Sequence, residues 1–189
     1  MHYVRLGRIA YAPALNLQHM CAQAVISGKC QPNGADGVML LLEHEPVYTV
    51  GLRSQRYPES VADDLRRLGA DFHRTNRGGL ITFHGPGQLV AYPIIHLRHW
   101  GLTVKSYVDA LERAMIGTCE ALDVHAERSA KYTGVWIGRN KIGAIGKLTI
   151  LLQKVLHHVV TRTYEFLRVI YVCNYFSRPY WFYAPLSYE

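Results

Sequence analysis

Four glycines, Gly78, Gly79, Gly85 and Gly87, fall within ten residues of the run RGGLITFHGPGQLVAYP, Arg77–Pro93. A sheet-bound segment tolerates glycine at that density only where the backbone must approach something closely, which makes this run a ligand loop. Gly85-Pro86-Gly87 fixes a turn whose neighbouring N–H groups can point at a carbonyl or an anion. His84 and Gln88 add directional side-chain hydrogen bonds, and Arg77 adds a fixed positive charge at the loop's entrance. An isolated GG or GPG pair would mark only a hairpin turn, whereas RGG and HGPGQ in close succession mark a site.

Elements on either side of the loop follow from apolar spacing. VMLLLEHEPVYTV, residues 38–50, predicts a buried strand, a break at Pro46 and a second short strand ending at Gly51. Residues 14–26 predict a helix packed on that sheet, and Glu59 to Leu68 a short polar helix stopped by Gly69. Between Phe72 and His84, Gly78-Gly79 interrupts the alternation, so a strand, a tight glycine turn and a return strand are expected there. Val90 to Ile95 reads as another strand. Thr103 caps a helix to Leu122, and VWIG with KIGAIG reads as a hairpin turning at Arg139-Asn140. Strands and helices mingle without regular β-α-β alternation, so the fold class is α+β, a mixed sheet with flanking helices, rather than a doubly wound sheet.

Beyond Gly146 the character changes. The remaining residues contain no glycine and hold six of the thirteen tyrosines. Leu148, Leu151, Leu152, Val155, Val159, Phe166, Leu167 and Ile170 can form a helix face, although the β-branched run also permits a strand. The expected organisation is a partial domain over 1–146 and a divergent tail over 147–189.

At 189 residues and 49% hydrophobic content the chain has the material for one sizeable core. Its net charge of +7 would suit nucleic acid, an acidic partner or an alkaline compartment such as the mitochondrial matrix. The basic residues are scattered, nowhere denser than Arg66-Arg67, and this argues against nucleic acid. A diffuse positive field suits an acidic carrier protein. Cys21, Cys30, Cys119 and Cys173 show no CxxC spacing, which points to a reducing compartment. No run approaches a membrane span or a signal peptide, so no membrane partner is expected. The first acidic residue is Asp36, and the opening segment with Arg5, Arg8 and Lys29 is acid-poor in the manner of a transit peptide. No His, Cys and Asp cluster has metal-ligand spacing, so neither a metal nor another cofactor is expected.

RGGLITFHGPGQLVAYPI is similar to the signature of the lipoyl(octanoyl) transferases, and LLEHEPVYTVG upstream and TGVWIGRNKIGAIG downstream resemble that family's flanking motifs in the same order. The resemblance runs from Leu6 to Gly146. It implies the catalytic-domain fold of biotin and lipoate protein ligases, incomplete here at its C-terminal end. It also implies transfer of an octanoyl group from octanoyl-acyl carrier protein to a lysine on lipoyl-dependent enzymes, namely the lipoyl domains of 2-oxoacid dehydrogenases and the glycine cleavage H protein. Carried onto this sequence, the family's catalytic lysine falls on Lys141, which the flanking apolar alternation would bury on a strand. Substrate-binding positions fall on Arg77, Gly78, Gly79, Leu80, Ile81, Thr82, Phe83 and His84, and on Ala144, Ile145 and Gly146 opposite. The family treats His84 as a pocket residue rather than a general base. Gly143 stands where a bulkier small residue is more usual.

The family's second catalytic group is a cysteine on a Pro-Cys-Gly turn after this motif. It attacks the carrier thioester, and its lysine partner keeps the thiol ionised. A free thiol near pKa 8.5 is only about a tenth thiolate at pH 7.5, so it needs such help. Here no Pro-Cys-Gly turn follows, and Cys173 in VCNY lacks the flanking proline and glycine that would expose a nucleophile. The implied protein is a monomeric acyltransferase of the mitochondrial matrix, or alternatively of a bacterial cytoplasm. This chain would be a form that diverges after Gly146, as alternative splicing or a frame change produces, and would be impaired. Two other readings stand beside it: a non-catalytic module that binds acyl carrier protein or lipoyl domains, and an ATP-dependent lipoate-protein ligase. HGPGQ, unlike the ligase glycine pattern, argues against the second.

Overall fold

The computed structural model describes residues 1–29, 37–52, 57–77, 80–150 and 154–161. Gly78, Gly79, Cys30 and Cys173 lie outside the described residues. The elements, in order, are β1 (His2–Ile9), α1 (Tyr11–Ile26), β2 (Gly37–His44), β3 (Val47–Val50), α2 (Glu59–Arg67), β4 (Asp71–Arg74), β5 (Thr82–His84), β6 (Leu89–Ile95), α3 (Val104–Glu120), β7 (Glu127–Arg128), β8 (Val135–Ile137), β9 (Asn140–Ile150) and β10 (Lys154–Thr161). They form a seven-stranded sheet in the order β1-β2-β6-β10-β9-β8-β7 and a three-stranded sheet in the order β4-β3-β5. In the large sheet β1 runs parallel to β2 and the other neighbouring pairs are antiparallel. The α+β class expected from the sequence is therefore the one observed.

Side-chain alternation sets which helix covers which face. Val38, Leu40 and Leu42 of β2 and Val90, Tyr92 and Ile94 of β6 point one way, into a core closed by Ala14, Ala22 and Val25 of α1. Ala91, between two of these residues on β6, points the other way and packs with Met115 and Cys119 of α3 and Val135 of β8. The two helices thus flank opposite faces, and β6 is buried between them. Thr103 starts α3 with a reciprocal cap: its Oγ1 accepts from Ser106 N at 3.1 Å while its own N–H donates to Ser106 Oγ at 2.9 Å. Against the small sheet, Ala62 and Leu65 of α2 pack on Val50 and Phe72. The helix ends before Gly69, whose φ of +83° is open to glycine at little cost.

Two local expectations are corrected and one open choice is decided. The segments before and after Gly78-Gly79 are not a hairpin; β4 pairs parallel with one edge of β3 and β5 antiparallel with the other. The reason lies in the connection, where Thr75 N and Oγ1 both donate to Val50 O and Leu52 N donates to Arg77 O. Those bonds carry the chain around the end of β3. The β8–β9 turn is centred one residue earlier than read, on Gly138-Arg139, because Gly138 takes φ +56° and Ile137 pairs with Asn140. Where helix and strand both stood open, β9 continues across Gly146 to Ile150 and β10 lies between β9 and β6, so the described part of 147–161 is strand. Leu151, Leu152, Phe166, Leu167 and Ile170 of the expected helix face lie outside the described residues.

Candidate active site

A buried polar wall forms where the two sheets meet. His44, at the end of β2, is fully buried, and its Nδ1 lies 3.1 Å from Ile9 O and its Nε2 2.7 Å from Tyr92 Oη. A carbonyl can only accept, so Nδ1 carries the hydrogen and the neutral ring accepts the Tyr92 hydroxyl proton at Nε2. Burial holds His44 below the ordinary imidazole range and pushes Tyr92 well above the ordinary phenol range, so both are neutral at physiological pH. The ring of His84 stands 5.8 Å from that of His44, and Tyr11 stands 5.4 Å from His44 and 4.9 Å from His73.

The glycine loop closes onto this wall. His84 is fully buried with Nδ1 2.8 Å from Gln88 Oε1, so the two side chains expected to reach a ligand bond to each other instead. Burial drives its pKa down to about 3, with smaller contributions of the same sign from His44 and Arg77. An imidazole so reluctant to take a proton is a poor general base near neutrality and a good pocket wall. The turn's N–H groups are used within the protein: Gly87 N donates to Glu43 Oε2 at 3.0 Å and Gln88 N to Gly85 O at 3.2 Å. A Cβ on Gly85 would come within 2.7 Å of Phe83 Cζ, so the missing side chain lets that ring lie against the turn. Arg77, expected at the entrance, is instead buried. Its Nη2 donates to Thr49 O at 2.6 Å and to Thr49 Oγ1 at 2.8 Å, and burial lowers its pKa. The fork geometry of guanidinium matches a backbone carbonyl and hydroxyl at once, and the connection leaving β4 delivers it there.

Lys141 lies on β9 as expected, but its side chain is exposed rather than buried, because it sits beside the β8–β9 turn. Its Nζ donates to Thr133 O at 2.9 Å and stands 4.8 Å from the centroid of the Trp136 ring. Partial burial lowers its pKa, and the Glu112 carboxylate opposes that shift. Strand register brings the lysine end of β9 to the glycine loop: Gly143 pairs with Thr161 of β10, and Thr161 pairs with Leu89 of β6, directly after HGPGQ. Two strand spacings, roughly 10 Å, separate β9 from β6 there.

These motifs and this fold recur in known proteins. Residues 10–163 match the lipoyl protein ligase A/B catalytic domain. The chain belongs to that family. Among relatives of the ligase A/B family, the mitochondrial octanoyl-acyl-carrier-protein:protein N-octanoyltransferase LIPT2 of Danio rerio is 51% identical over 76% of this chain, and that of Xenopus tropicalis 50% over 75%. The chain spans 62% and 59% of the length of those two proteins. The crystal structure of P. falciparum LipL1 in complex with lipoate superposes with a TM-score of 0.65 over 85% of this chain and 47% of that one, at 11% identity, which places the two in one fold. The resemblance to octanoyl transferases read from the three motifs is thereby borne out.

Set on the ligase A/B fold, the expected site residues fall into two groups. Leu80, Ile81, Thr82 and Phe83 are half-buried on and before β5, and lead into His84. Ala144, Ile145 and Gly146 are half-buried on β9, at the level where β6 leaves the glycine loop. Gly143 is buried against Met115, whose Sδ would stand 2.9 Å from an added Cβ, so the methionine fills the space beside the glycine. Reading the sequence did not single out His44, Tyr92, Tyr11 or Thr49. His44 carried a signal, an imidazole ending a strand that is apolar up to Glu43; the others look like ordinary sheet and helix residues. Cys21 is half-buried on α1 and Cys119 is buried on α3, where burial raises its pKa. Neither has the exposed, electropositive setting of a nucleophile. Among the described residues no group of three or more His, Cys, Asp or Glu side chains could hold a metal ion, and no helix is long and apolar enough to cross a membrane.

Proposed function

We propose that this catalytic domain handles octanoyl groups in lipoate biosynthesis. It would take them from octanoyl-acyl carrier protein and direct them to the lysine of lipoyl domains and of the glycine cleavage H protein. The observation that supports this reading is the strand register, which brings the Lys141 end of β9 and Ala144–Gly146 level with the HGPGQ loop across β10. The names of the relatives support it, and their mitochondrial designation supports a matrix location. In the reaction an amine nitrogen bonds to the thioester carbonyl carbon, the C–S bond breaks, and a proton leaves the amine. Arg77 to His84 would line one wall of the acyl site and Ala144 to Gly146 the other. Lys141, its pKa lowered by partial burial, would receive the proton.

We read the motif divergence as beginning after Gly146, within a family match that runs on to residue 163. Residues 147–189 contain a single cysteine, Cys173, with valine before it and asparagine after. Among the described residues neither Cys21 nor Cys119 has the setting of a nucleophile, and VCNY lacks the proline and glycine of the family's turn, so we expect transfer by this chain to be impaired. Incubation with octanoyl-acyl carrier protein and a lipoyl domain tests this. Slow or absent octanoylation is expected; efficient transfer that disappears in Cys173→Ser would overturn the impairment, and transfer unaffected by Lys141→Ala would overturn the lysine's role. The buried wall, in a sequence that lacks a Pro-Cys-Gly turn, favours one second reading, a module that captures acyl carrier protein without acylating anything. A pull-down with acyl carrier protein decides it, and no detectable association would remove it.

A further inference from the structure

The carbonyl that receives Lys141 and the N–H that Glu112 binds belong to one peptide group. Glu112 is buried on α3, where its Oε1 accepts from Gly134 N at 2.7 Å and its Oε2 forms an ion pair with Arg128 Nε at 3.2 Å. Thr133 O, on the other side of the same planar unit, accepts from Lys141 Nζ at 2.9 Å. Gly134 holds φ +125°, and a Cβ there would stand 2.5 Å from Gly143 O and 3.3 Å from Lys141 Cε. Glycine at 134 therefore lets the 133–134 peptide lie flat between the carboxylate and the lysine stem.

We propose that Glu112 is a positioning residue for Lys141, acting through the Thr133–Gly134 peptide. A carboxylate accepting the N–H polarises the amide and makes its carbonyl a stronger acceptor, as in any chain of cooperative hydrogen bonds. The ammonium end is thereby held at a fixed place above Trp136. Arg128 locks the carboxylate in turn, since its Nη2 also donates to Asp109 O at 2.7 Å and ties β7 to α3. The Glu112 charge further favours the protonated lysine, opposing partial burial, so the same residue sets where the Lys141 amine sits and the pH at which it becomes free to accept a proton. This inference rests on the reading of Lys141 as the proton-handling group.

The test is NMR of the full chain with 13C- and 15N-labelled lysine and amide 15N, with Lys141→Gln used to assign the Lys141 signals. In the unsubstituted protein, deprotonation of Lys141 should move the Gly134 amide proton with the same midpoint, and that inflection should vanish in Lys141→Gln. Glu112→Gln keeps an oxygen for the Gly134 N–H but removes the charge. It should shift the Gly134 amide proton upfield and lower the Lys141 midpoint. A Gly134 amide that ignores the Lys141 titration overturns the proposal even if Glu112→Gln fails to fold. An unchanged Lys141 midpoint in folded Glu112→Gln overturns it as well. Octanoyl transfer is a separate arm: if the coupling is present but Lys141→Ala leaves transfer intact, the positioning stands and the catalytic reading of Lys141 falls.

Discussion

The wall and the lysine corner are built on opposite principles. At the wall, His44, Tyr92, His84 and Arg77 are buried, and burial holds both imidazoles and the phenol neutral while Thr49 satisfies the guanidinium. At the corner, Lys141 is exposed and keeps its charge beside a carbonyl, an indole face and a carboxylate one peptide away. A surface that must receive an apolar chain gains from groups that neither titrate nor rearrange near neutral pH. A group that must exchange a proton with an arriving amine needs solvent access and a pKa open to adjustment. The wall is accordingly part of the fold's stability and the corner is nearly independent of it.

The largest expected effect lies in the wall. Arg77→Leu strands the buried oxygens of Thr49 and should cost about 3 kcal/mol in urea unfolding. His44→Phe removes two buried hydrogen bonds and should cost roughly 2 kcal/mol. In a double-mutant cycle with Tyr92→Phe, a coupling of about 1 kcal/mol is expected from the 2.7 Å bond. A loss below about 0.5 kcal/mol for either single substitution would remove the claim that the wall is structural.

The wall should also govern acid stability. His84 has a folded pKa near 3, below the unfolded value of roughly 6.5, so between these limits the unfolded chain binds the extra proton. Stability is fully present above about pH 6.5 and falls toward pH 3, at up to about 1.4 kcal/mol per unit from this residue. His44 is lowered in the same direction and steepens the upper part of that window. His84→Asn should flatten the slope measured by urea melts between pH 6 and 4; an unchanged slope would mean that His84 is accessible to protons in the folded state.

How much of this could be read beforehand depends on whether a residue's role is local. The glycine loop, the Pro46 break, the Thr103 cap and the β8–β9 hairpin are fixed by short-range chemistry, and each was legible within a residue or so. The His84–Gln88 bond was not, since the same spacing equally permits both side chains to face a ligand. The burial of Arg77 was not, because it depends on the path around the end of β3, and a hairpin reading of Phe72–His84 sends the side chain outward. β1 escaped notice because it is an edge strand with a mostly exposed HYVRLGRI sequence, paired parallel to β2 only through tertiary contact. His44 with Tyr92 and Glu112 with Gly134 are long-range pairs, and no pattern in one sequence joins their members.

A smaller effect is expected at the seam between wall and corner. Gly143→Ala places a methyl against Met115 Sδ and Val135 Cβ, and the flexible thioether can yield, so the cost should stay near about 1 kcal/mol. Tm of this variant alone and with Met115→Ala measures it; a cost that does not shrink when Met115 is shortened would locate the strain in the backbone instead.

The smallest effect is the one that most sharpens the contrast. Lys141→Met should change stability by no more than about 0.5 kcal/mol, because the bond it loses is solvent-exposed and Thr133 O can turn to water. The methionine side chain still covers Trp136, so the lost cation–π contact is offset in part by packing. Urea unfolding at pH 7 checks this directly. A loss above about 1.5 kcal/mol would show that the lysine is held as a structural member like Arg77, and its exposure would then no longer mark it as the group free to move a proton.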